Sequence, residues 1–128
     1  MPTLLLVEDH DDTRHMYAEF LGMSFDVVSA PDGEKGLALL RDRRVDLVIT
    51  DLSLPGMNGF ALVAAIRSDP ALRGIPIVCL SGYGGLAHEQ RARAAGCDRI
   101  LQKPCMPDAL ADLAAELIRE AAERSPKP

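Results

Sequence analysis

The chain has 128 residues, 48% hydrophobic and 26% charged, a balance that suits one packed domain and excludes both a disordered polymer and a membrane-spanning bundle. Trp is absent and aromatic residues make up only 4%, so a core here must be built from Leu, Val, Ile and Ala. Nineteen acids against fourteen bases leave a net charge of −5, which argues against a nucleic-acid-binding surface.

Taken in chain order, short apolar runs at 4–7, 25–28, 47–49, 77–80 and 100–101 predict five strands. Most lack polar alternation, the pattern of strands covered on both faces of a parallel sheet. Amphipathic stretches at about 11–22, 33–43, 58–68 and 86–95, with a last from about 107 to 123, predict the helices between and after them. Asp11, Asp32 and Asn58 stand where side chains cap the first three helices, and Gly22, Gly74 and Gly96 stand where helices stop. In the last helix Leu110, Leu113, Ala114, Leu117, Ile118 and Ala121 form one apolar stripe, with Pro107 at its first position.

Five alternating strand–helix units imply an α/β fold, (βα)5, with a doubly wound parallel five-stranded sheet of order 2-1-3-4-5. Residues 1–123 are expected to form this domain and 124–128 a tail or linker. Cys79, Cys97 and Cys105 form no C-x-x-C pair, no secretory leader opens the chain, and every apolar run falls far short of the roughly 20 residues of a membrane helix. A cytoplasmic protein with no membrane partner is the expectation.

Ligands in such sheets bind beyond the carboxyl ends of the strands, near the point where strand order reverses. Glu8-Asp9 end the first strand, Asp51 the third, Ser81-Gly82 the fourth and Lys103-Pro104 the fifth. The first half of the chain also collects the acids: eleven against five bases in residues 1–64, eight against nine in the rest. Carboxylates without His or Cys suit Mg²⁺ rather than Zn²⁺. Two of them about 4 Å apart repel by roughly 4 kcal/mol at an effective dielectric of 20, which a divalent ion would relieve. Lys103 and the Ser81 hydroxyl suit phosphate oxygens. With no Ser-His-Asp or Cys-His set present, the nucleophile left is a carboxylate, and its attack on phosphorus gives an acyl phosphate.

Glu8-Asp9, Asp51 followed by Leu-Ser-Leu-Pro-Gly-Met-Asn-Gly, Ser81 and Lys103-Pro104 together resemble the receiver domain of two-component response regulators, the CheY-like family, over roughly residues 3–122. The resemblance implies that Asp51 is the phosphoacceptor, served by the phosphohistidine of a sensor histidine kinase or a phosphotransfer protein. It implies Mg²⁺ held by Asp9, Asp51 and the backbone carbonyl of Ser53, with Glu8 acting mostly through water. It makes Ser81 the switch hydroxyl and Lys103 the partner of the phosphoryl group, with a cis bond to Pro104. Pro55-Gly56 and Gly59 resemble the loop leading from that site into the third helix. Output is expected as a conformational shift of the fourth helix, fifth strand and fifth helix, through contact with a downstream protein or a homodimer.

The sequence departs from the family at Ile100, where many receivers carry the Tyr or Phe of an aromatic switch, and at Cys105, commonly a bulky apolar position. Ser53 and Tyr83 fall where family members tune water access, and Tyr83 is expected to shield the phosphoryl group. The Ser-Gly-Tyr-Gly run also resembles receivers attached to hybrid sensor kinases, so the chain is either stand-alone or an excised module. No output domain is expected in the few residues after 123. The family is one of signalling phosphoacceptors rather than enzymes with a separate substrate.

Duller roles compete at single positions. His10, His15 and His88 suit the surface, Arg91 and Arg93 a solvated helix face, and Cys79 a small core site. Rival readings stand beside the receiver, among them an aspartate-nucleophile phosphatase, which would usually want another acid two residues after Asp51, where Ser53 stands. Gly82-Tyr-Gly-Gly-Leu-Ala87 fits G-x-G-x-x-A, a pyrophosphate-binding pattern of nucleotide enzymes, although too little chain follows it for a nucleotide-binding half. A receiver-like interaction module that is never phosphorylated is another.

Overall fold

A computed structural model of the chain describes residues 1–82 and 85–124. Its strands are β1 (Thr3–Val7), β2 (Asp26–Ala30), β3 (Leu47–Asp51), β4 (Ile77–Ser81) and β5 (Arg99–Gln102). The helices are α1 (Asp11–Leu21), α2 (Gly33–Asp42), α3 (Gly59–Ser68), α4 (Leu86–Ala95) and α5 (Pro107–Arg124). All strands are parallel in the order β2-β1-β3-β4-β5, as the alternation of runs and stripes implies.

Successive residues of each strand feed two cores on opposite faces of the sheet. Leu5, Val7, Val48, Ile77 and Cys79 pack with Leu37, Leu62, Ile66 and Ala92 on the α2–α3–α4 side. Leu4, Leu6, Leu47, Ile49, Val78 and Leu80 pack with Tyr17, Leu21, Leu110, Ala114 and Leu117 on the α1–α5 side. Every residue of β3 and β4 is buried, which explains their unbroken apolar runs. Each buried Leu or Ile contributes about 1.5–3 kcal/mol, so the strand interiors carry much of the hydrophobic driving force.

Local signals act mostly as expected. The Asp32 and Asn58 carboxylate and amide oxygens accept the backbone N–H of Lys35 and Ala61, capping α2 and α3. Two expectations are corrected. The N-cap of α1 is His10, without a side-chain cap bond, and Asp11 is the first helical residue, whose carboxylate turns to Arg14 instead. Gly74 lies in the loop before β4, because α3 has already ended at Ser68 with Asp69 as its C-cap.

The amino end of β4 is pinned by one arginine. Arg67 donates through Nε to the Gly96 carbonyl (2.9 Å), through Nη1 to the carbonyls of Arg73 (2.7 Å) and Ile75 (2.6 Å), and through Nη2 to Asp98 Oδ2 (2.8 Å). The same Asp98 oxygen accepts the Ile77 N–H at 2.7 Å. All three cysteines are thiols, Cys79 and Cys97 buried and Cys105 half-buried. Cys79 is the small core residue its sequence context suggests; its hydrogen bond with Cys97 and its burial push its thiol pKa up.

His88 is less solvated than expected, whereas Arg91 is exposed as its helix-face reading implies. His88 is half-buried with its ring edge-on to Phe60 (centroids 5.1 Å apart), and the Arg91 guanidinium lies 4.0 Å over the face of the same ring. No helix among the described residues is long and apolar enough to cross a membrane.

Candidate functional site

Register decides what meets at the carboxyl edge. Val7, Thr50, Cys79 and Ile100 are paired across four strands, so they form a single row. Asp51 opposes Leu80 one row further on, and Ser81 opposes Gln102 in the row after that. Glu8 and Asp9 continue β1 beyond Val7, and Lys103 continues β5 beyond Gln102. The residues predicted from the ends of separate apolar runs therefore meet on one edge.

The structure brings Glu8, Asp9, Asp51 and Lys103 together. Carboxylate oxygens of Glu8, Asp9 and Asp51 all lie within 4.8 Å of one another. Lys103 Nζ donates to Glu8 Oε1 at 2.6 Å and to Asp51 Oδ2 at 2.7 Å, bridging two carboxylates that are only 2% and 7% exposed. The second oxygens also have partners. Glu8 Oε2 accepts the His10 N–H at 3.1 Å, and Asp51 Oδ1 accepts the Ser53 N–H at a longer 3.3 Å. Asp9 is exposed at the mouth.

The electrostatics remain unbalanced. Burial pushes the Glu8 carboxyl above the usual carboxylate range; Lys103 and the His10 N–H pull it back, and the Asp51 charge adds to the rise. Burial disfavours the Lys103 ammonium, but its bonds to Asp51 and Glu8 and their charges outweigh this and hold its pKa above the ordinary lysine value. One cation thus serves three acids. At an effective dielectric of 20, two carboxylate charges near 4.8 Å still repel by about 3 kcal/mol. The donor set is all hard oxygen, the chemistry that fits Mg²⁺, so these residues could hold such an ion.

The backbone around Asp51 is equally specific. The Gly59 N–H donates to the Leu52 carbonyl at 3.0 Å, and a Cβ at Gly59 would stand 2.4 Å from the Asp51 carbonyl oxygen and 2.5 Å from Leu52 Cα. Only glycine allows α3 to start against the peptide of the buried aspartate. In the loop before it, Gly56 follows Pro55 with a φ of +68°. Lys103 N–H donates to the Ser81 carbonyl at 2.7 Å, which ties the ends of β4 and β5, and the Lys103–Pro104 bond is cis, as the resemblance implies.

The remaining predicted positions divide. Ser81 is buried at the end of β4 beside the acids. Ser53 is exposed next to Asp51, and Ile100 packs partly buried against the α2–α3–α4 core as an apolar residue. Tyr83 lies outside the described residues, and with it Gly84 and part of the glycine-rich pattern.

Two residues passed over in the sequence also shape the site. Arg14 Nη1 donates to the Glu8 carbonyl (2.9 Å), and its Nη2 pairs with Asp11 Oδ1 (2.7 Å), holding that carboxyl below the usual range. The buried Tyr17 hydroxyl donates to the Cys105 carbonyl at 2.8 Å, tying α1 to the segment after Pro104. The signal for Arg14 was a cation in the first turn of a helix that opens with two acids; Tyr17 gave no local signal.

Known proteins agree with this geometry. Residues 4–115 match the response regulator receiver domain family. The polar-differentiation response regulator DivK of Brucella anthropi is 26% identical over 80% of this chain and 84% of its own length. The virulence sensor protein BvgS of Bordetella pertussis is 36% identical over 96% of this chain, which spans only 10% of that protein. The solved structure of the Vibrio cholerae chemotaxis protein CheY4 superposes with a TM-score of 0.86 at 30% identity, covering 91% of this chain and 98% of its own. Family match, strand order and acid-lined sheet edge converge: the chain belongs to the response regulator receiver domains of two-component signalling.

Proposed function

We propose that this receiver takes a phosphoryl group onto Asp51 from the phosphohistidine of a sensor histidine kinase or a phosphotransfer protein, in a Mg²⁺-dependent reaction. The observation that carries the reading is the Lys103 ammonium bridging Asp51 and Glu8 inside a cluster of three carboxylates. An Asp51 carboxylate oxygen forms the new P–O bond, the P–N bond to the donor imidazole breaks, and the imidazole leaves with a proton from solvent. Asp9, Asp51 and the Ser53 carbonyl would hold the ion, with Glu8 acting mostly through water. The bound ion supplies positive charge against the phosphoryl oxygens.

The chain's own groups do the positioning. Lys103 is a fixed cation beside Asp51, ready to pair with a phosphoryl oxygen, and Ser81 supplies a hydroxyl from the adjacent strand end. Drawing these two groups toward the phosphoryl group would shift α4, β5 and α5 and so change a protein-binding face, including one that pairs two copies. Ile100 lacks a hydroxyl-bearing ring for an aromatic switch, so this coupling rests on Ser81 and Lys103.

Incubation of the purified chain with acetyl phosphate and Mg²⁺, read by intact mass, tests the proposal. A gain of one phosphate that EDTA prevents and that Asp51→Asn abolishes supports it. No gain in the wild type favours a receiver-like module that works without phosphorylation.

A further inference from the structure

Four acids crowd the end of β1 and the start of α1: Glu8, Asp9, Asp11 and Asp12. Arg14 follows them in the first turn of α1, where the helix dipole disfavours a cation, and its side chain is only 12% exposed. Both terms oppose a guanidinium there, so its contacts must outweigh them. Those contacts are the Glu8 carbonyl at 2.9 Å and Asp11 Oδ1 at 2.7 Å, one on each side of the turn. A residue that breaks the local helix rule while buried beside a site is a candidate for a role in that site.

The three carboxylates are held differently. Lys103 fixes those of Glu8 and Asp51, whereas among the described residues the Asp9 side chain makes no hydrogen bond or ion pair. Its reach into the cluster is set by the backbone. The peptide that joins Glu8 to Asp9 carries the carbonyl that Arg14 holds, and α1 itself offers no side-chain cap to steady the turn.

We propose that Arg14 is a positioning residue for the divalent cation: by clamping the Glu8–Asp9 peptide it aims the Asp9 carboxylate and so sets the affinity of the acidic edge for Mg²⁺. The proposal rests on the receiver reading above and assigns within it a task to a residue outside the ligand set. Its sign is diagnostic. Arg14 is itself a cation near a cation site, so if only its charge mattered, removing it would tighten Mg²⁺ binding. A clamp predicts the reverse, and partners that orient metal ligands are worth about 10–100-fold in affinity.

Isothermal titration of the EDTA-stripped full chain with MgCl₂ at fixed ionic strength decides between them. Arg14→Met, which keeps the aliphatic bulk, should raise the Kd about 10-fold. Its phosphorylation by acetyl phosphate should be slow at limiting Mg²⁺ and return to the wild-type rate at saturating Mg²⁺. A Kd that is unchanged or lower overturns the proposal, as does a rate defect that persists at saturation. Should Arg14→Met fail to fold, Arg14→Lys keeps the charge but cannot span both partners; a Kd raised about threefold supports the clamp, and wild-type binding overturns it. A wild-type chain that neither binds Mg²⁺ nor gains phosphate sinks the proposed phosphoacceptor function, whereas a normal wild type matched by its variant sinks only the role of Arg14.

Discussion

The two ends of β4 hold the same kinds of group in opposite states of balance. At the amino end one guanidinium meets one carboxylate, and all of its contacts, with the Gly96, Arg73 and Ile75 carbonyls and Asp98, are made within hydrogen-bond distance. Beside the carboxyl end one ammonium bonds two of three clustered carboxylates, and the third faces solvent. A balanced cluster is complete as it stands and supports the fold. An acid-rich cluster is costly without further positive charge, and that residual demand marks it as a candidate site. Partial burial is common to both, so burial alone does not distinguish them.

The largest test breaks the balanced end. Arg67→Ala takes the guanidinium away from Asp98, which keeps only the Ile77 N–H, and from three carbonyls, and should cost about 3–5 kcal/mol in urea denaturation. Mg²⁺-dependent phosphorylation of the folded fraction should be unchanged. A loss of stability under 1 kcal/mol would show that the network is ornamental.

The second test completes the unbalanced end. Mg²⁺ at ten times its Kd should stabilise the chain by about 1.4 kcal/mol, raising the melting temperature by about 5 °C. Asp51→Asn should remove most of that response while leaving the metal-free protein as stable as the wild type or slightly more so, since it relieves repulsion among the acids. Equal shifts in both proteins would place the ion elsewhere.

The third and smallest test uses pH. The folded-state pKa of Lys103 lies above its unfolded value of 10.5, so its contribution is fully present below pH 10.5 and is lost as pH rises through the folded value. In metal-free buffer, Lys103→Met should flatten that alkaline decline, measured as denaturation free energy against pH. An unchanged slope would mean that the bridge to Asp51 and Glu8 adds no stability.

Much of this was legible in sequence because it is local. Strand runs, amphipathic stripes and the Asp32 and Asn58 caps each depend on residues a few positions apart. The acids, Ser81 and Lys103 were legible for another reason: once strand order is known, the last residue of each run has a definite place. Arg67 was not, since its partners lie up to 31 residues away and nothing in its own helix distinguishes it from a solvated arginine. Arg14 was missed because a pair spaced i,i+3 with Asp11 looks like an ordinary surface contact; its second bond, back to the Glu8 carbonyl, appears only when the turn closes. The half-burial of His88 and the contacts of His88 and Arg91 with the Phe60 ring come from the meeting of α3 and α4, which neither helix announces alone.

The shared row of Val7, Thr50, Cys79 and Ile100 makes the sheet edge a matter of counting. Deleting one residue inside β3 would leave the composition almost untouched, yet it would turn the aspartate to the opposite side of the sheet, together with every β3 side chain between it and the deletion. Length changes in relatives that keep the same chemistry should therefore fall in the connections, and the strands should drift only by substitution.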